Sequence, residues 1–312
     1  MHVGIVGLGR MGRSLAGRAA ARGHAVVGWD LGDGSRAAAR EAGIEVVDTL
    51  DELARQLAPP RVVLLYVPHG EPVDAVLTAM RPGLGPHDIV IDGGNSHWDD
   101  STRRHAELAQ HGIRFLDMGT SGGTSAAFGW QGAAFMVGGD REAFDRVAPL
   151  LTDLAVSDGA VHHVGPAGSG HFAKLVHNAI EFGMLQAIGE GVELLARSPY
   201  ADAIDLAALF EHWNHGTVIR SWLVQLMANA LRHYPDLDEL ATYVEDTGEV
   251  KWVVSWASDE DIPVPVTALA QQMLMVYRDT DSPTAKAVAL LRNQFGGHPL
   301  HGVDDVIVRR KP

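Results

Sequence analysis

A glycine-rich turn near the start of the chain constrains its fold more than any other feature. Residues 2–6 (HVGIV) are an apolar run typical of a buried strand, and Gly7-Leu8-Gly9-Arg10-Met11-Gly12 follows directly. Residues 13–22 favour a helix, and residues 25–29 (AVVGW) are a second apolar run that ends at Asp30. A strand, a G-x-G-x-x-G turn, a helix and an acid about 20 residues further on are the fingerprint of a dinucleotide-binding βαβ unit. The sequence therefore predicts a Rossmann-type domain.

Each part of this turn has a physical task. Gly7 allows the tight turn, Gly9 lets backbone N–H groups approach a pyrophosphate, and Gly12 lets helix and strand pack closely. We expect the phosphates at the helix N-terminus, where unpaired N–H groups favour anions. Asp30 would accept hydrogen bonds from the adenosine ribose and repel a 2′-phosphate, which predicts NAD rather than NADP. Two alternatives weaken this preference: Asp30 as a plain turn residue, and Arg36 as a phosphate ligand.

Strands that alternate with helices up to about residue 165 predict a doubly wound parallel sheet. In such sheets ligands bind beyond the carboxyl ends of the strands. Three predicted strands end in unusual loops, at 67–70 (VPHG), 92–96 (DGGNS) and 117–123 (DMGTSGG). Each loop alone is an ordinary tight turn, but three on one edge indicate a site. The predicted cofactor contacts are Gly7, Leu8, Gly9, Arg10, Met11, Gly12, Asp30, Val67 and Asn95.

The pattern changes to helices from about residue 166, with helices expected at 203–212 and 237–243 among others. The predicted fold class is α/β, an N-terminal Rossmann-type doubly wound sheet followed by an all-helical C-terminal domain. The domains are predicted at 1–165 and 166–312. The tail from Gln294 lacks helical periodicity and is predicted to lie against another subunit.

Composition and charge narrow the function. A formal net charge of −14 argues against non-specific nucleic-acid binding. The absence of cysteine excludes disulfides, thiolate metal sites and a catalytic thiol, and we predict no metal. There is no apolar run of about 18 residues to cross a membrane, and the immediate start of a strand leaves no room for a signal peptide. We therefore expect a cytoplasmic protein that acts on a small molecule, without nucleic-acid or membrane partners.

One predicted helix carries a polar stripe. It begins near residue 168 in the stretch GSGHFAKLVHNAIEFG, with Ser169 as a candidate N-cap. At about 3.6 residues per turn, one face carries Lys174, His177, Asn178 and Glu181. The rest of the surface is apolar, which is typical of a helix buried around most of its circumference. Since burying such polar groups costs several kcal/mol unless they face a polar pocket, the stripe predicts the floor of a site. The alternative is a solvated stripe with a Lys174–Glu181 ion pair.

Together these segments resemble the 6-phosphogluconate dehydrogenases of the β-hydroxyacid dehydrogenase superfamily, over nearly the whole chain. Residues 7–12 resemble the nucleotide loop of that family, 92–96 its substrate loop and 119–123 its carboxylate-binding loop. Residues 170–181 (GHFAKLVHNAIE) resemble its catalytic helix. Residues 292–298 (RNQFGGH) resemble the tail that donates an arginine and a histidine to the substrate phosphate of a neighbouring subunit. The chain is similar to the short, NAD-preferring form, because the long enzymes duplicate the helical domain.

The resemblance implies NAD-dependent oxidative decarboxylation of 6-phosphogluconate to ribulose 5-phosphate and carbon dioxide, in the pentose phosphate pathway or gluconate utilisation. It implies that Lys174 is the general base and acid, and that Glu181 protonates the enediol. The substrate-binding residues that it implies are Asn95, Ser121, Gly122, Gly123, His177, Asn178, Lys251, Arg278, Arg292 and His298. It also implies a homodimer or homotetramer in which the tail reaches the neighbouring site.

One residue departs from the family pattern. Phe182 stands where the long enzymes have a tyrosine whose hydroxyl contributes to phosphate binding. An unphosphorylated aldonate is therefore the alternative substrate. Two other functions stay open on sequence alone: a non-decarboxylating 3-hydroxyacid dehydrogenase or semialdehyde reductase, and a non-catalytic dinucleotide-binding sensor. The presence of both Lys174 and Glu181 argues against the sensor.

Overall fold

One eight-stranded sheet occupies the first half of the chain. The computed structural model describes residues 1–122, 132–237, 240, 243–244, 248–278 and 282–296, with backbone alone at 285, 289 and 292–296. The strands are β1 (His2–Val6), β2 (Ala25–Trp29), β3 (Glu45–Val46), β4 (Val62–Leu65), β5 (Ile89–Asp92), β6 (Arg114–Ser121), β7 (Ala134–Gly138) and β8 (Val161–Gly165).

Helices alternate with most of these strands and then continue alone in the described residues. They are α1 (Arg10–Ala21), α2 (Asp33–Glu41), α3 (Leu50–Gln56), α4 (Glu71–Met80), α5 (Trp98–Ala109), α6 (Arg141–Leu154), α7 (Ser169–Ala196), α8 (Leu206–Gly216), α9 (Trp222–His233), α10 (Glu249–Asp259), α11 (Pro265–Arg278) and α12 (Pro283–Gly296). The predicted fold class, a Rossmann-type doubly wound sheet followed by helices, is confirmed.

The strand order is β3-β2-β1-β4-β5-β6-β7-β8. Strands β1 to β6 are parallel, so the carboxyl ends of β1, β4, β5 and β6 lie side by side on one edge. The winding reverses between β1 and β4, where sheets of this kind bind ligands. The prediction of an entirely parallel sheet is wrong for β7, which pairs antiparallel with β6. A helical crossover between parallel strands needs about a dozen residues or more, and the connection from Ser121 to Ala134 only just reaches that length.

Apolar side chains cover both faces of the sheet, because parallel strands are buried on both sides. One buried cluster contains Ile5, Leu15 and Phe135, and a second contains Val6 and Phe115. The successive residues Ile5 and Val6 enter different clusters, as the alternation of side chains along a strand requires. A sheet packed on both faces is a rigid base for the loops at its edge.

The chain divides into two compact units. The first contains residues 1–181 and 249–263, and the second contains residues 182–248 and 264–312. Helix α7 therefore begins in the first unit, and α10 belongs to it as well. The predicted domain boundary after residue 165 stays a prediction.

Aromatic rings fix α10 within the first unit. Trp256 of α10 lies edge-on to Phe172 of α7, with 4.9 Å between ring centroids. Trp252, one turn earlier, lies edge-on to His69 in the loop after β4, at 5.0 Å. Edge-to-face pairs of this kind stabilise a contact by about 0.5–1.5 kcal/mol beyond the area they bury. The N-terminus of α10 is thereby held near the carboxyl edge of the sheet.

The second unit has its own apolar core, which includes Val192, Phe210 and Val224. Helix α8 begins at Leu206, later than the predicted residue 203. The reason is a side-chain cap: Asp205 accepts a hydrogen bond from the Ala208 N–H at 2.9 Å. An aspartate in this position satisfies an N–H group that the helix cannot pair itself.

Two predictions concern the C-terminal segment. The helix predicted at 237–243 falls largely outside the described residues. Helix α12 continues through Gln294 and ends at Gly296, so the prediction of a non-helical tail is wrong for its first residues. Residues 297–312, which include His298, lie outside the described part of the chain.

Candidate active site

The glycine turn between β1 and α1 has the backbone that a dinucleotide requires. Gly7 has a φ of +93°, and a Cβ added to Gly12 would lie only 1.8 Å from the Gly7 carbonyl oxygen. Helix α1 begins at Arg10, and the N-cap residue Gly9 supplies no side-chain hydrogen bond to it. The first N–H groups of α1 are therefore suited to an anionic phosphate. We call residues 7–12 the nucleotide turn.

Asp30 follows β2 and lies beside this turn. Its carboxylate accepts hydrogen bonds from the N–H groups of Leu8 and Gly32, each at 2.7 Å. An ionised carboxylate has about four acceptor positions, so both oxygens retain capacity for ribose hydroxyls. Arg36 donates to the Asp30 carbonyl oxygen at 2.7 Å and pairs with Asp33. The one arginine that the sequence offers for a 2′-phosphate is thus engaged by acceptors of this chain.

Asn95, also predicted as a cofactor contact, lies in the loop after β5, and the other predicted cofactor contacts lie in or next to the nucleotide turn. The Leu8 side chain is buried in the core, and its N–H group donates a hydrogen bond to Asp30. Only the other backbone atoms of Leu8 could therefore contact a cofactor. Arg10 is exposed and Met11 is half-buried. Val67 follows β4 and is adjacent, since a Cβ added to Gly7 would lie 3.2 Å from the Val67 Cγ1 atom.

Tyr66 connects the residues after β4 and β5 to the carboxyl end of β6. Its buried hydroxyl lies 3.1 Å from Thr120 Oγ1, which donates to the Gly93 carbonyl oxygen at 3.3 Å. Burial raises the pKa of the Tyr66 phenol well above its ordinary value. The phenol therefore stays neutral and links these three strand ends as a hydrogen-bonding group.

A buried charge pair holds the loop after β5. Asp92 accepts hydrogen bonds from Ser96 Oγ at 2.7 Å and from the Gly94 N–H at 3.1 Å. Its carboxylate also lies 3.5 Å from Arg104 Nη1, and both charged side chains are fully buried. Removing one partner of a buried pair is strongly destabilising, so this network fixes the loop that carries Asn95.

Helix α7 is anchored to the sheet by Asp117 of β6. The buried carboxylate accepts hydrogen bonds from the N–H groups of Gly168, at 2.7 Å, and His171, at 2.8 Å. It therefore caps the helix from a strand that is distant in sequence. The prediction of Ser169 as the N-cap is wrong, because the helix already includes Ser169 and its Oγ has no hydrogen-bond partner among the described residues.

The polar stripe of α7 faces the end of β6. Lys174 packs closely on Gly119, where an added Cβ would lie 2.3 Å from the Lys174 Cβ. Lys174 Nζ donates to Asn178 Oδ1, and His177 Nε2 lies 3.2 Å from Ser121 Oγ. The helix and the strand thus bring together residues that are more than fifty positions apart in sequence.

Glu181 extends this stripe by one turn. Its Oε2 lies 3.8 Å from His177 Nδ1, and 37% of its side chain is exposed. Its ion-pair contact is thus with the imidazole, although the Glu181 carboxylate also acts on the Lys174 amine. Leu175 is buried, but Ile180 is 62% exposed, so the prediction of a helix buried around most of its circumference is wrong for this single chain.

The amine of Lys174 has an altered acidity. Burial lowers the pKa of Lys174 below its ordinary 10.5, and the carboxylates of Glu181 and Glu249 offset part of that effect. Near neutral pH a larger fraction of this amine is therefore neutral than for an exposed lysine. A neutral amine can accept a proton, which is the first requirement for a general base.

Glu249 is a residue of this site that the sequence analysis missed. It is the first residue of α10, and its Oε1 accepts a hydrogen bond from Asn95 Nδ2 at 2.7 Å. An acid at a helix start is common, so no sequence signal separates Glu249 from a simple helix cap. We call the following residues the polar site: Asn95, Ser121, Lys174, His177, Asn178, Glu181 and Glu249.

The remaining predicted substrate residues lie elsewhere in the chain or outside the described residues. Gly122 follows β6, and Lys251 is an exposed residue of α10. Arg278 is the last residue of α11 and belongs to the second unit. Gly123 and His298 lie outside the described residues, and Arg292 is described by its backbone alone.

The described residues contain no group of three or more His, Cys, Asp or Glu side chains arranged to hold a metal ion. In that same part of the chain, no helix has both the length and the apolar character needed to cross a membrane.

The fold and the site together define a class of protein. The Rossmann-type sheet carries a nucleotide turn, an acid beside that turn and a half-buried lysine at the same edge. This is the arrangement of a nicotinamide-dinucleotide-dependent dehydrogenase. In such enzymes the cofactor carries the redox chemistry and the protein supplies binding, orientation and proton transfer.

Comparison with known proteins identifies the family. Residues 2–165 match the NAD binding domain of 6-phosphogluconate dehydrogenase, and residues 170–251 match the C-terminal domain of 6-phosphogluconate dehydrogenase. The chain is 43% identical to YqeC of Bacillus subtilis (strain 168) over 96% of this chain and 98% of that relative. It is 39% identical to the NAD(+)-dependent, decarboxylating 6-phosphogluconate dehydrogenase of Haloferax volcanii, over 98% of this chain and 100% of that enzyme.

A solved structure agrees with these matches. The 6-phosphogluconate dehydrogenase of Plasmodium falciparum, studied as the apo form and with NADP+ and 6-phosphogluconate, is 27% identical to this chain, with a TM-score of 0.81. The similarity covers 95% of this chain and 65% of that enzyme. The protein belongs to the 6-phosphogluconate dehydrogenase family and is an oxidoreductase.

Proposed function

We propose that this protein catalyses the NAD-dependent oxidative decarboxylation of 6-phosphogluconate to ribulose 5-phosphate and carbon dioxide. One observation carries the proposal: in a chain of this family, a half-buried lysine with a lowered pKa is hydrogen-bonded to Asn178 at the carboxyl edge of a dinucleotide-binding sheet. The full-length match to the Haloferax volcanii enzyme supports both the reaction and the cofactor.

The nucleotide turn would hold the pyrophosphate through the N–H groups at the start of α1, and Asp30 would hold the adenosine ribose. When bound, NAD supplies the acceptor for the hydride from C3 of the sugar acid. The engaged Arg36 and the carboxylate of Asp30 both favour NAD over NADP, because a 2′-phosphate would meet the negative charge of Asp30 while Arg36 is bound to other acceptors.

Lys174 performs the first proton transfer. As the neutral amine it accepts the proton of the C3 hydroxyl while the C3–H bond breaks, which leaves a 3-keto acid. Its hydrogen bond to Asn178 fixes the direction of the amine, and burial keeps the amine neutral more often than in water. General base catalysis of this kind contributes about 10²–10⁴-fold to a rate.

The second half of the reaction uses the proton that Lys174 has accepted. The ammonium donates a hydrogen bond to the keto oxygen, which stabilises the negative charge as the C1–C2 bond breaks and carbon dioxide leaves. The Lys174 ammonium gives its proton to the enolate oxygen to form the enediol. The enediol then takes a proton on the carbon that lost the carboxylate, while its hydroxyl proton returns to the neutral amine of Lys174. Glu181 is the proposed donor, since it follows Lys174 on the same helix face and lies beside His177.

Substrate contacts are proposed for the other polar residues. Asn95, His177 and Asn178 would hold hydroxyl groups, and Ser121 with Gly122 and Gly123 would hold the carboxylate. Lys251, Arg278, Arg292 and His298 stay predictions for the phosphate, and so does a tail that reaches a neighbouring subunit in a dimer or tetramer. Cytoplasmic location likewise stays a prediction.

Initial rates test the proposal directly. We expect the purified protein to form one carbon dioxide per NADH with 6-phosphogluconate, with kcat/KM for NAD well above that for NADP. The comparison substrate is gluconate, which should react more slowly if the phosphate is recognised. NADH without carbon dioxide would indicate a non-decarboxylating 3-hydroxyacid dehydrogenase. Cofactor binding without turnover of any aldonate would indicate a sensor.

A further inference from the structure

Glu249 is a buried carboxylate beside the proposed reaction centre, and the mechanism above gives it no task. Only 5% of this residue is exposed, and its Oε1 accepts a hydrogen bond from Asn95 Nδ2 at 2.7 Å. Burying a carboxylate is costly unless it is paired and hydrogen-bonded. An acidic side chain at this position therefore needs an explanation beyond packing.

The start of α10 is built to accept a negative charge at this point. Gly248 has a φ of +92° and turns the chain into the helix, whose N-terminal N–H groups stabilise an anion. Val250 and Val253 are buried, and Trp252 packs against His69. The carboxylate thus approaches Asn95 from a rigid element.

Asn95 is held through its two neighbours in the chain. The Gly94 N–H group before it and the Ser96 Oγ hydroxyl after it both donate to the buried Asp92 carboxylate. The Asn95 carboxamide could still rotate, and its hydrogen bond to Glu249 prevents that rotation. An ionised carboxylate can only accept hydrogen bonds, so the amide nitrogen must face Glu249 and the amide oxygen must face away.

We propose that Glu249 is a positioning residue, which orients the Asn95 carboxamide so that its Oδ1 accepts a hydrogen bond from a hydroxyl group of the sugar acid. This inference rests on the proposed function. According to this proposal, Glu249 and Asn95 together make the protein prefer a substrate that carries a hydroxyl at that position. A site with a fixed acceptor discriminates strongly against an analogue that lacks the hydroxyl, because the acceptor is then left unpaired.

Variants of Glu249 and Asn95 test this coupling. Glu249→Ala should lower kcat/KM for 6-phosphogluconate about tenfold, mainly through KM, because the carboxamide can then rotate. Glu249→Gln should recover to within about threefold of the wild type, since its amide oxygen can still accept from Asn95. Adding Glu249→Ala to Asn95→Ala should have almost no further effect.

The control variant is Asp259→Ala, which removes an exposed carboxylate from the other end of the same helix. It should leave kcat/KM and substrate discrimination unchanged. The dissociation constant of NADH should stay constant in the Glu249 variants and in Asp259→Ala. Additive effects of Glu249→Ala and Asn95→Ala, or an equal loss in Glu249→Gln and Glu249→Ala, would overturn the proposal.

Substrate analogues distinguish a positioning role of Glu249 from a purely structural one, because a structural role would not change how strongly the protein discriminates against an analogue. The probes are the 2-deoxy and 4-deoxy analogues of 6-phosphogluconate. In the wild type, one of them should lose about 10–100-fold in kcat/KM, and Glu249→Ala should reduce that penalty at least fivefold. If both penalties are the same in the variant as in the wild type, Glu249 does not position the acceptor.

Failure of the proposed function has a different signature. If the wild type oxidises no aldonate, the contact between Glu249 and Asn95 can still be followed by NMR without turnover. The side-chain amide resonance of Asn95 is assigned by its loss in Asn95→Ala. We expect slow hydrogen exchange of that amide in the wild type and Glu249→Gln and fast exchange in Glu249→Ala. Equal exchange rates in the wild type and Glu249→Ala would overturn the positioning role independently of activity.

Discussion

The nucleotide turn and the polar site lie on the same sheet edge but are built in opposite ways. The nucleotide turn is one continuous segment, residues 7–12, and its function depends on backbone: a positive φ at Gly7 and the absence of a Cβ at Gly12. The polar site is assembled from side chains of several separate segments, such as Asn95, Ser121, Lys174 and Glu249. Local sequence specifies the first region, and tertiary packing specifies the second.

This difference has consequences for substitution. A change in the nucleotide turn should affect cofactor binding and stability together, because the same atoms serve both. A change in the polar site should affect turnover while cofactor binding stays intact, because its side chains project from elements that the core already holds. The following predictions separate the two regions.

Removal of the amine should have the largest effect. Lys174→Ala should lower kcat by about 10³-fold or more, because both proton transfer and stabilisation of the keto oxygen are lost. The dissociation constant of NADH, measured by fluorescence titration, should change less than about threefold. Glu190→Ala, an exposed carboxylate on the same helix, is the control and should leave both unchanged. Substantial turnover by Lys174→Ala would falsify its role as the base.

Closing the space at the nucleotide turn should come next. A Cβ at Gly12 would lie 1.8 Å from the Gly7 carbonyl oxygen, so Gly12→Ala must displace the turn. We expect NADH binding to weaken at least tenfold and the free energy of unfolding to fall by about 2–4 kcal/mol.

Gly17→Ala is the matched control in the same helix, since nothing lies within 4 Å of its added Cβ. It should stabilise the protein by up to about 1 kcal/mol, because alanine is the better helix former. Chemical denaturation measures both variants. Unchanged stability and NADH affinity in Gly12→Ala would contradict the assignment of close packing at this turn.

Asp30 should have a smaller effect, confined to cofactor choice. Asp30→Ser removes the negative charge that a 2′-phosphate would meet, so the ratio of kcat/KM for NAD to that for NADP should fall about tenfold. Asp51→Asn, an exposed carboxylate of α3, is the control. The idea that Asp30 selects the cofactor fails if the ratio is the same in Asp30→Ser and the wild type.

The smallest effect is expected in the pH profile. The charged groups that act on the Lys174 amine in the described residues are Glu181 on its own helix and Glu249 on α10. Since the Glu249 carboxylate raises the pKa of Lys174, Glu249→Gln should lower that pKa. The neutral amine then forms at lower pH, so the acid limb of kcat/KM should move to lower pH by less than about one unit. A shift to higher pH would contradict the assignment of this limb to Lys174.

Much of the fold was predictable from the sequence because its signals are local. The apolar run 2–6, the glycines of the nucleotide turn and the spacing to Asp30 each act over a few residues, and the structure confirms a doubly wound sheet. The shared face of Lys174 and Asn178 was predictable for the same reason, since one helical turn fixes it. The antiparallel strand β7 was not, because strand direction depends on the connection rather than on the strand.

Sequence alone therefore determined the sheet, the nucleotide turn and the polar face of α7, all of which follow from periodicity and backbone sterics. Only the tertiary structure decided what surrounds that face. Asp117 caps α7 from a strand more than fifty residues away, and Glu249 meets Asn95 across 154 positions. These pairings depend on how rigid elements pack on one sheet edge. The sequence around a carboxylate at a strand end or a helix start does not indicate which distant residue it will contact.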